Sequence, residues 1–269
     1  MFKLNINVSD ILLTPLACSS LVNEILKGIL YQKCQIPYPY DWMKTMVTRK
    51  RQKSEIDVKK FNNIKATNHF LLVSSVLDKL ETFMQAIEHE FSQCKTNIQE
   101  VFIVLGTTPH TANEIISVSF TLVDGHNEKN HISQLNKYRQ KILRKLFLSQ
   151  DWVDKIDASV SCTNVYLYIV KTGDNSNINS DNNSVFVPTI PLTFSTKTKY
   201  TKISLKSDTT LDTNCCENLT VFNDLSCNVI SKKCDNEETE VNVIWYKYKD
   251  LIKGFKECFV NKKSVSESW

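Results

Sequence analysis

The sequence predicts an α+β protein, and three observations carry that prediction. One long stretch, about Ala66 to Cys94, keeps apolar residues at helical spacing. An unbroken apolar run, Val101–Leu105, is followed closely by the alternating segment Glu114–Val123. From Val165 onward every apolar segment reads as strand. Helices dominate the first half and strands the second, so the βαβ alternation of a parallel α/β sheet is missing.

Taken in order, the first element is a helix from about Ser20 to Gln35, with Val22, Ile25, Leu26, Ile29 and Leu30 as its buried stripe. Pro37 and Pro39 must end it, because each lacks an amide donor and restricts the residue before it. A short helical turn over Asp41–Val47 is expected next. The basic stretch Lys44–Lys60 has no clear period and reads as an exposed loop, with 48–65 flexible and Thr48–Lys53 usable as a nuclear localisation signal.

In the long helix Phe70, Val73, Leu77, Leu80, Met84, Ile87 and Phe91 recur by three and four. Leu72, Val76 and Phe83 add a second stripe, which suits a helix laid on a sheet and touching another helix. Val101–Leu105 is continuous, as in a strand covered on both faces. Glu114–Val123 sets Ile116, Val118, Phe120 and Leu122 against Ser117, Ser119 and Thr121. Gly106–Pro109 breaks the chain between them, so an antiparallel hairpin follows.

A third helix is expected over Ile132–Ser149, with Ile132, Leu135, Tyr138, Ile142 and Leu146 facing the core. Leu143 and Phe147 lie about 100° round from that stripe. Val165–Val170, Val185–Phe194, Tyr200–Leu205, Leu219–Ile230 and Val241–Tyr248 read as strands. The Asn- and Ser-rich segment 173–184 and the polar segment 208–217 read as flexible loops.

Composition bounds the function. The chain has 269 residues, 42% apolar and 23% charged, with a formal net charge of +4, which is slight for this length. Neither general nucleic-acid binding nor a membrane span is expected. Met1–Val22 makes a poor signal peptide, since Asn5, Asn7, Ser9 and Asp10 interrupt it, so the nucleus and cytoplasm are the expected compartments. The five glycines, at 28, 106, 125, 173 and 254, are too dispersed for a P-loop or a dinucleotide fingerprint. Nine scattered cysteines read as thiols, and Cys215, Cys216, Cys227 and Cys234 fit no common zinc spacing. His89-Glu90 lacks the second histidine of a zinc protease. No enzyme, cofactor or metal is expected; a cysteine-dependent enzyme would need a low-pKa thiol in a cleft.

Four strings give a more specific reading. Leu26–Tyr40 (LKGILYQKCQIPYPY) resembles the first helix and Pro-x-Pro-Tyr turn of the comet family, HORMA-like proteins that bind the spindle-checkpoint protein Mad-two. Val76–Phe83 (VLDKLETF) is similar to that family's second helix, and Val101–Gly106 (VFIVLG) to its following strand. Ile244-Trp245-Tyr246 with Lys253–Glu257 (KGFKE) resembles its C-terminal ending.

The resemblance covers roughly 20–258 and implies a single HORMA-like domain there, with tails at 1–19 and 259–269. The implied fold is a central, mostly antiparallel sheet with three helices on one face. A C-terminal β segment acts as a safety belt around the chain's own tail, carried by Ile244, Trp245, Tyr246, Gly254 and Phe255. Trp245 is then expected mostly buried within the sheet or belt.

The implied role is an adaptor. It binds closed Mad-two and presents it to a Pch-two-type AAA+ ATPase, which disassembles the mitotic checkpoint complex and silences the checkpoint. Gln32 matches the family's interface glutamine, and Leu143 falls at the third-helix contact position, where relatives carry an aromatic. Phe147, Arg139 and Arg144 complete the expected partner-binding set, with Gly28 leaving room for a partner or a neighbouring helix. Spindle or kinetochore localisation in mitosis follows from the same resemblance. The competing class is a peptide-capturing HORMA protein that works without the ATPase.

Overall fold

The computed structural model describes residues 2–8, 13–54, 64–93, 97–120, 139–140, 142–156, 160–172, 185–207 and 243–268. The first element is a strand, β1 (Phe2–Val8), within the segment that sequence sets aside as an N-terminal tail. Helix α1 (Pro15–Gln32) begins five residues earlier than its apolar stripe suggests. Thr14 caps it, its Oγ1 accepting from the Ala17 amide at 3.3 Å, and Pro15 occupies the first helical position.

Helix α2 (Tyr40–Ser54) corrects the expectation of a short turn followed by a loop over 48–65. Tyr40, Met43 and Val47 are buried along its first two turns, too short a stripe for a visible period. Basic residues add surface contacts beyond that stripe. Lys44 pairs with Glu81 at 2.9 Å, and Arg51 reaches both Asp78 and Ser74 at 2.8 Å, all on helix α3 (Ile64–Ser92). Residues 55–63 lie outside the described part.

Helix α3 buries all seven residues of its expected stripe, together with Val76 and Phe83 of the second one. Leu72, expected on that second stripe, is instead 43% exposed. Asn23 of α1 ties the two helices, donating to the Met84 carbonyl and to Glu88.

Strands β2 (Asn97–Gly106) and β3 (Ala112–Phe120) form the expected antiparallel hairpin, with Val101 opposite Val118 and Ile103 opposite Ile116. Gly106 is required at the turn, where a β-carbon would lie 2.7 Å from Ala112 Cα. Helical residues 139–140 and 142–147 (α4) are the described part of the third helix, Ile132, Leu135 and Tyr138 of its expected stripe lying outside it, and α5 (Gln150–Ile156) follows as a separate short helix. Then come β4 (Asn164–Thr172), β5 (Phe186–Thr189), β6 (Lys199–Ser207), β7 (Val243–Tyr248) and β8 (Ile252–Lys253). Strand β5 stops well short of Phe194, since Pro188 and Pro191 limit ladder bonding.

The sheet runs β1-β6-β3-β2-β4-β7-β5, with β8 also pairing with β4. Among the described strands only the β1–β6 and β3–β6 pairs are parallel, so the sheet is mostly antiparallel. The helices pack on one face, against Val101, Ile103, Ile116, Val118, Leu167 and Ile169. On the opposite face Phe102, Val104, Ile115, Tyr166 and Tyr168 are buried beneath Leu192, Trp245 and Leu251. Both faces are therefore covered, which is why β2 and β4 read as continuous apolar runs. Ser117, on the polar side of the alternation in β3, is fully buried and shares a 2.9 Å hydrogen bond with the Tyr200 hydroxyl.

The expected C-terminal tail is also ordered. A two-strand ribbon, β9 (Phe259–Val260) with β10 (Lys263–Ser264), leads into a 3-10 turn at Val265–Ser268 that packs on α3. The expected strand at 219–230 and the loops at 173–184 and 208–217 lie outside the described residues. Among the described residues no helix is long and apolar enough to cross a membrane.

Candidate partner-binding surface

Gln32 is the last residue of α1 and is exposed at the surface. Its side chain is held, because the Trp152 indole Nε1 donates to Gln32 Oε1 at 2.8 Å. Trp152, on α5, is 1% exposed. Ser149 starts α5, its Oγ accepting from the Trp152 amide at 3.2 Å. An otherwise mobile glutamine is thus fixed by a buried aromatic, which lowers the entropy lost when a partner binds it.

Phe147 meets the same tryptophan edge-to-face at 5.2 Å. Its ring lies directly over Gly28 of α1, where a β-carbon would fall 2.2 Å from Phe147 Cζ. Gly28 therefore makes room for Phe147 of a neighbouring helix and not for an outside partner. Leu143 and Phe147 are both half-buried and packed against the main core, so they do not form the free apolar edge that the sequence suggests. Arg139 lies 3.7 Å from Glu24 of α1, and Arg144 is exposed. The structure thus brings Gln32 and Phe147 together through Trp152, with Leu143 one turn away on α4.

Gly28→Ala should gain about 1 kcal/mol of helix propensity but lose about 1–3 kcal/mol by displacing Phe147. A net destabilisation of up to about 2 kcal/mol in urea titration is expected.

The C-terminal group forms a second assembly. Strand β7 lies between β4 and β5, with Trp245 opposite Val170 on one side and Thr189 on the other. Trp245 is half-buried against Phe102, with ring centroids 4.7 Å apart, where sequence expects it mostly buried. Ile244 and Tyr246 are also half-buried, and the Lys171 ammonium stands 4.7 Å over the Tyr246 ring. Beyond β8 the Gly254 amide donates to the Thr163 carbonyl, and the Phe255 amide to the Gln35 carbonyl, both at 2.9 Å. Phe255 is buried beside Tyr38 and His69.

Gln35 is a residue that sequence reasoning missed. It is fully buried; its Nε2 donates to the Lys33 carbonyl and its Oε1 accepts from the Thr163 amide, each at 2.8 Å. A β-carbon at Gly254 would lie 2.8 Å from Gln35 Oε1, so the glycine permits this contact. The strings at Leu26–Tyr40 and Lys253–Glu257 therefore meet in space at Gln35. Lys33 was also missed: it forms a 2.8 Å ion pair with Glu114 of β3, both side chains almost fully buried.

His69 lies against this assembly. Burial lowers its pKa, with the Glu257 carboxylate acting in the opposite direction. In the unfolded chain the imidazole takes up its proton near 6.5, and in the folded one only at lower pH. The stability present above that pH is therefore lost as the pH falls. Thermal melts from about pH 7.5 down to about pH 5.5 should show this decline, and His69→Gln should flatten it.

Burial raises the pKa of the half-buried Cys162 thiol, the opposite of nucleophile activation. Among the described residues no group of three or more His, Cys, Asp or Glu could hold a metal ion. Cys215, Cys216, Cys227 and Cys234 lie outside them.

No curated protein matches the sequence. The profile of the family described as "p31comet: Mad1 and Cdc20-bound-Mad2 binding" matches residues 12–171, more than half of the chain and the whole span from α1 to β4. The chain belongs to the p31comet family.

Proposed function

We infer that this protein is a non-catalytic adaptor that binds closed Mad-two and presents it to a Pch-two-type AAA+ ATPase. Disassembly of the mitotic checkpoint complex, and hence checkpoint silencing, is the outcome. The nucleus and cytoplasm, with spindle or kinetochore in mitosis, are the corresponding places of action. Family membership supports the Mad-two part, since the family is described by Mad1 and Cdc20-bound-Mad2 binding.

One observation supports the self-filled HORMA-like part of this reading: the position of β7. The chain leaves β4, pairs β5 on the outer side of β7, and then returns to β6 near the other end of the sheet. On the way Leu192 covers the second core cluster and Phe194 stacks on Tyr200 at 5.5 Å. Such a crossing segment is what a safety belt requires, and the strand it encloses is the chain's own. That supports a self-filled HORMA-like adaptor over one that captures a partner's peptide, because an incoming strand would have to displace β7 from both β4 and β5.

The test is a pull-down of closed against open Mad-two, followed by ATP-driven conversion with the ATPase. Selective capture of the closed form, and conversion that needs this chain, are expected. Equal capture of both forms would contradict the binding half. Selective capture without conversion would contradict the presentation half.

A further inference from the structure

At the end of α1 the backbone takes a shape to which a cysteine is poorly suited. Lys33 caps the helix, and Cys34, the next residue, has a φ of 54°. That left-handed position usually belongs to glycine, because a β-carbon there crowds the backbone. Among the described residues the other non-glycine ones with positive φ are Asn261 and Lys262, which make the two-residue turn between β9 and β10. Hairpin geometry accounts for those two. It does not call for a thiol at Cys34.

A second thiol stands across from it. Cys162, just before β4, donates from its Sγ to the Cys34 carbonyl at 3.1 Å. That contact keeps the sulfur within about 6 Å of Cys34 Cα, since a carbonyl oxygen is two bonds from its own α-carbon. A disulfide needs α-carbons about 4.4–6.8 Å apart, so the two stretches run at a suitable separation. Gln35 holds them together. Its Nε2 donates to the Ser161 carbonyl at 3.4 Å and its Oε1 accepts from the Thr163 amide at 2.8 Å, so both neighbours of Cys162 are tied to the residue after Cys34. Both cysteines line the same open groove of about 850 Å³. Cys34 is exposed, and its Sγ makes a long 3.9 Å contact with the Gln32 carbonyl, which rotation about Cα–Cβ releases. Cys18, by contrast, is buried in the core, and Cys258 does not line this groove.

We propose that Cys34 and Cys162 form an oxidation site, which hydrogen peroxide closes into a reversible disulfide that staples the end of α1 to the lead-in of β4. Cys34, the exposed thiol, reacts first. Its sulfur attacks one peroxide oxygen, the O–O bond breaks, and a sulfenic acid forms with release of water. Cys162 resolves it: its sulfur attacks the Cys34 sulfur, the S–S bond forms and the S–O bond breaks. The departing hydroxide takes the Cys162 proton and leaves as a second water. The two thiols thus give up two electrons and two protons to one peroxide, which becomes two waters. Burial raises the pKa of the Cys162 thiol while the Lys256 ammonium acts the other way, which suits the resolving role better than the first attack. The reaction involves no partner protein, so it stands apart from the adaptor reading.

The experiment treats the reduced full chain with hydrogen peroxide, blocks the remaining thiols and maps the cysteine peptides by mass spectrometry. The Cys34 peptide should be joined to the Cys162 peptide, and dithiothreitol should separate them. The bond links positions 128 residues apart, so the crosslinked chain should unfold at higher urea, its midpoint raised by at least about 0.5 M. Cys34→Gly, which the left-handed backbone accepts, should fold as the parent does and show neither effect. Peroxide that carries Cys34 to sulfinic acid while Cys162 stays free would overturn the pairing, as would a bond from either thiol to another of the nine cysteines. A chain crosslinked at Cys34 and Cys162 whose urea midpoint does not rise would remove the staple.

Discussion

Lys33→Ala is expected to destabilise the fold by about 3–5 kcal/mol, the range for removing one partner of a buried ion pair. The Lys33 side chain is 0% exposed and that of Glu114 2% exposed, so removing the ammonium leaves a carboxylate that water cannot reach. The lysine also ends α1, its amide donating to the Ile29 carbonyl at 2.8 Å. A paired replacement, Lys33→Met with Glu114→Leu, should recover most of the loss, because two apolar side chains of similar volume need no counter-charge. Urea unfolding of both variants decides the matter. Equal destabilisation by the single and the double change would show that packing, not charge, is what the pair contributes.

Gln32→Ala combined with Leu143→Ala should weaken binding to closed Mad-two by about 2–4 kcal/mol, the scale of hot-spot truncation. Gln32 contributes through its fixed amide, and alanine there also removes the acceptor of the Trp152 indole. Leu143 contributes less than sequence alone suggests, because part of its side chain already packs on the core. Its truncation should therefore also cost about 1–2 kcal/mol of stability, below the range for a fully buried leucine. Calorimetric titration with circular dichroism as the folding control measures both effects. A folded double variant that binds like the parent would remove both residues from the interface.

The elements most legible in the sequence are those whose apolar pattern is set by a single large partner surface. Helix α3 lies across the sheet and keeps its period through seven positions. Strands β2 and β4 are covered on both faces and read as unbroken apolar runs. Where an element is held by polar contacts the pattern is silent. Helix α2 buries Tyr40, Met43 and Val47 in its first two turns alone, and the rest of it carries basic side chains such as Arg51, paired with α3, that read as a solvated loop. Helix α5 is seven residues long, shorter than a period analysis can detect, yet it carries Trp152. Strand β1 alternates cleanly, with Phe2, Leu4, Ile6 and Val8 set against exposed Lys3, Asn5 and Asn7, so its period is legible and a reading of the segment as a poor signal peptide passes over it.

The candidate site divides in the same way. Gln32, Phe147 and Gly28 were singled out from sequence and do lie together, but the tryptophan that joins them was not. Gln35 and Lys33 look like surface residues in composition. Only the three-dimensional meeting of the α1 terminus with β3, with residues 160–163 and with Phe255 makes them buried. A buried polar residue with partners far away in sequence leaves no local signature, and that is the physical limit of reading this site from one chain.

The place of β7 also sets an order on folding. Strand β5 finds its described sheet partner in β7, and Gln35 finds an amide partner in Phe255, so both wait for residues made late in synthesis. The α1–α3 pair and the β2–β3 hairpin close through shorter loops and can form early. Adding β7 to β4, and with it β5 to β7, is a long-range, entropically costly step, and it should dominate the refolding rate. Until β7 is made, a nascent chain would carry an open slot beside β4, with unpaired backbone groups. Substitutions in β7 should accordingly slow refolding more than comparable ones in α1.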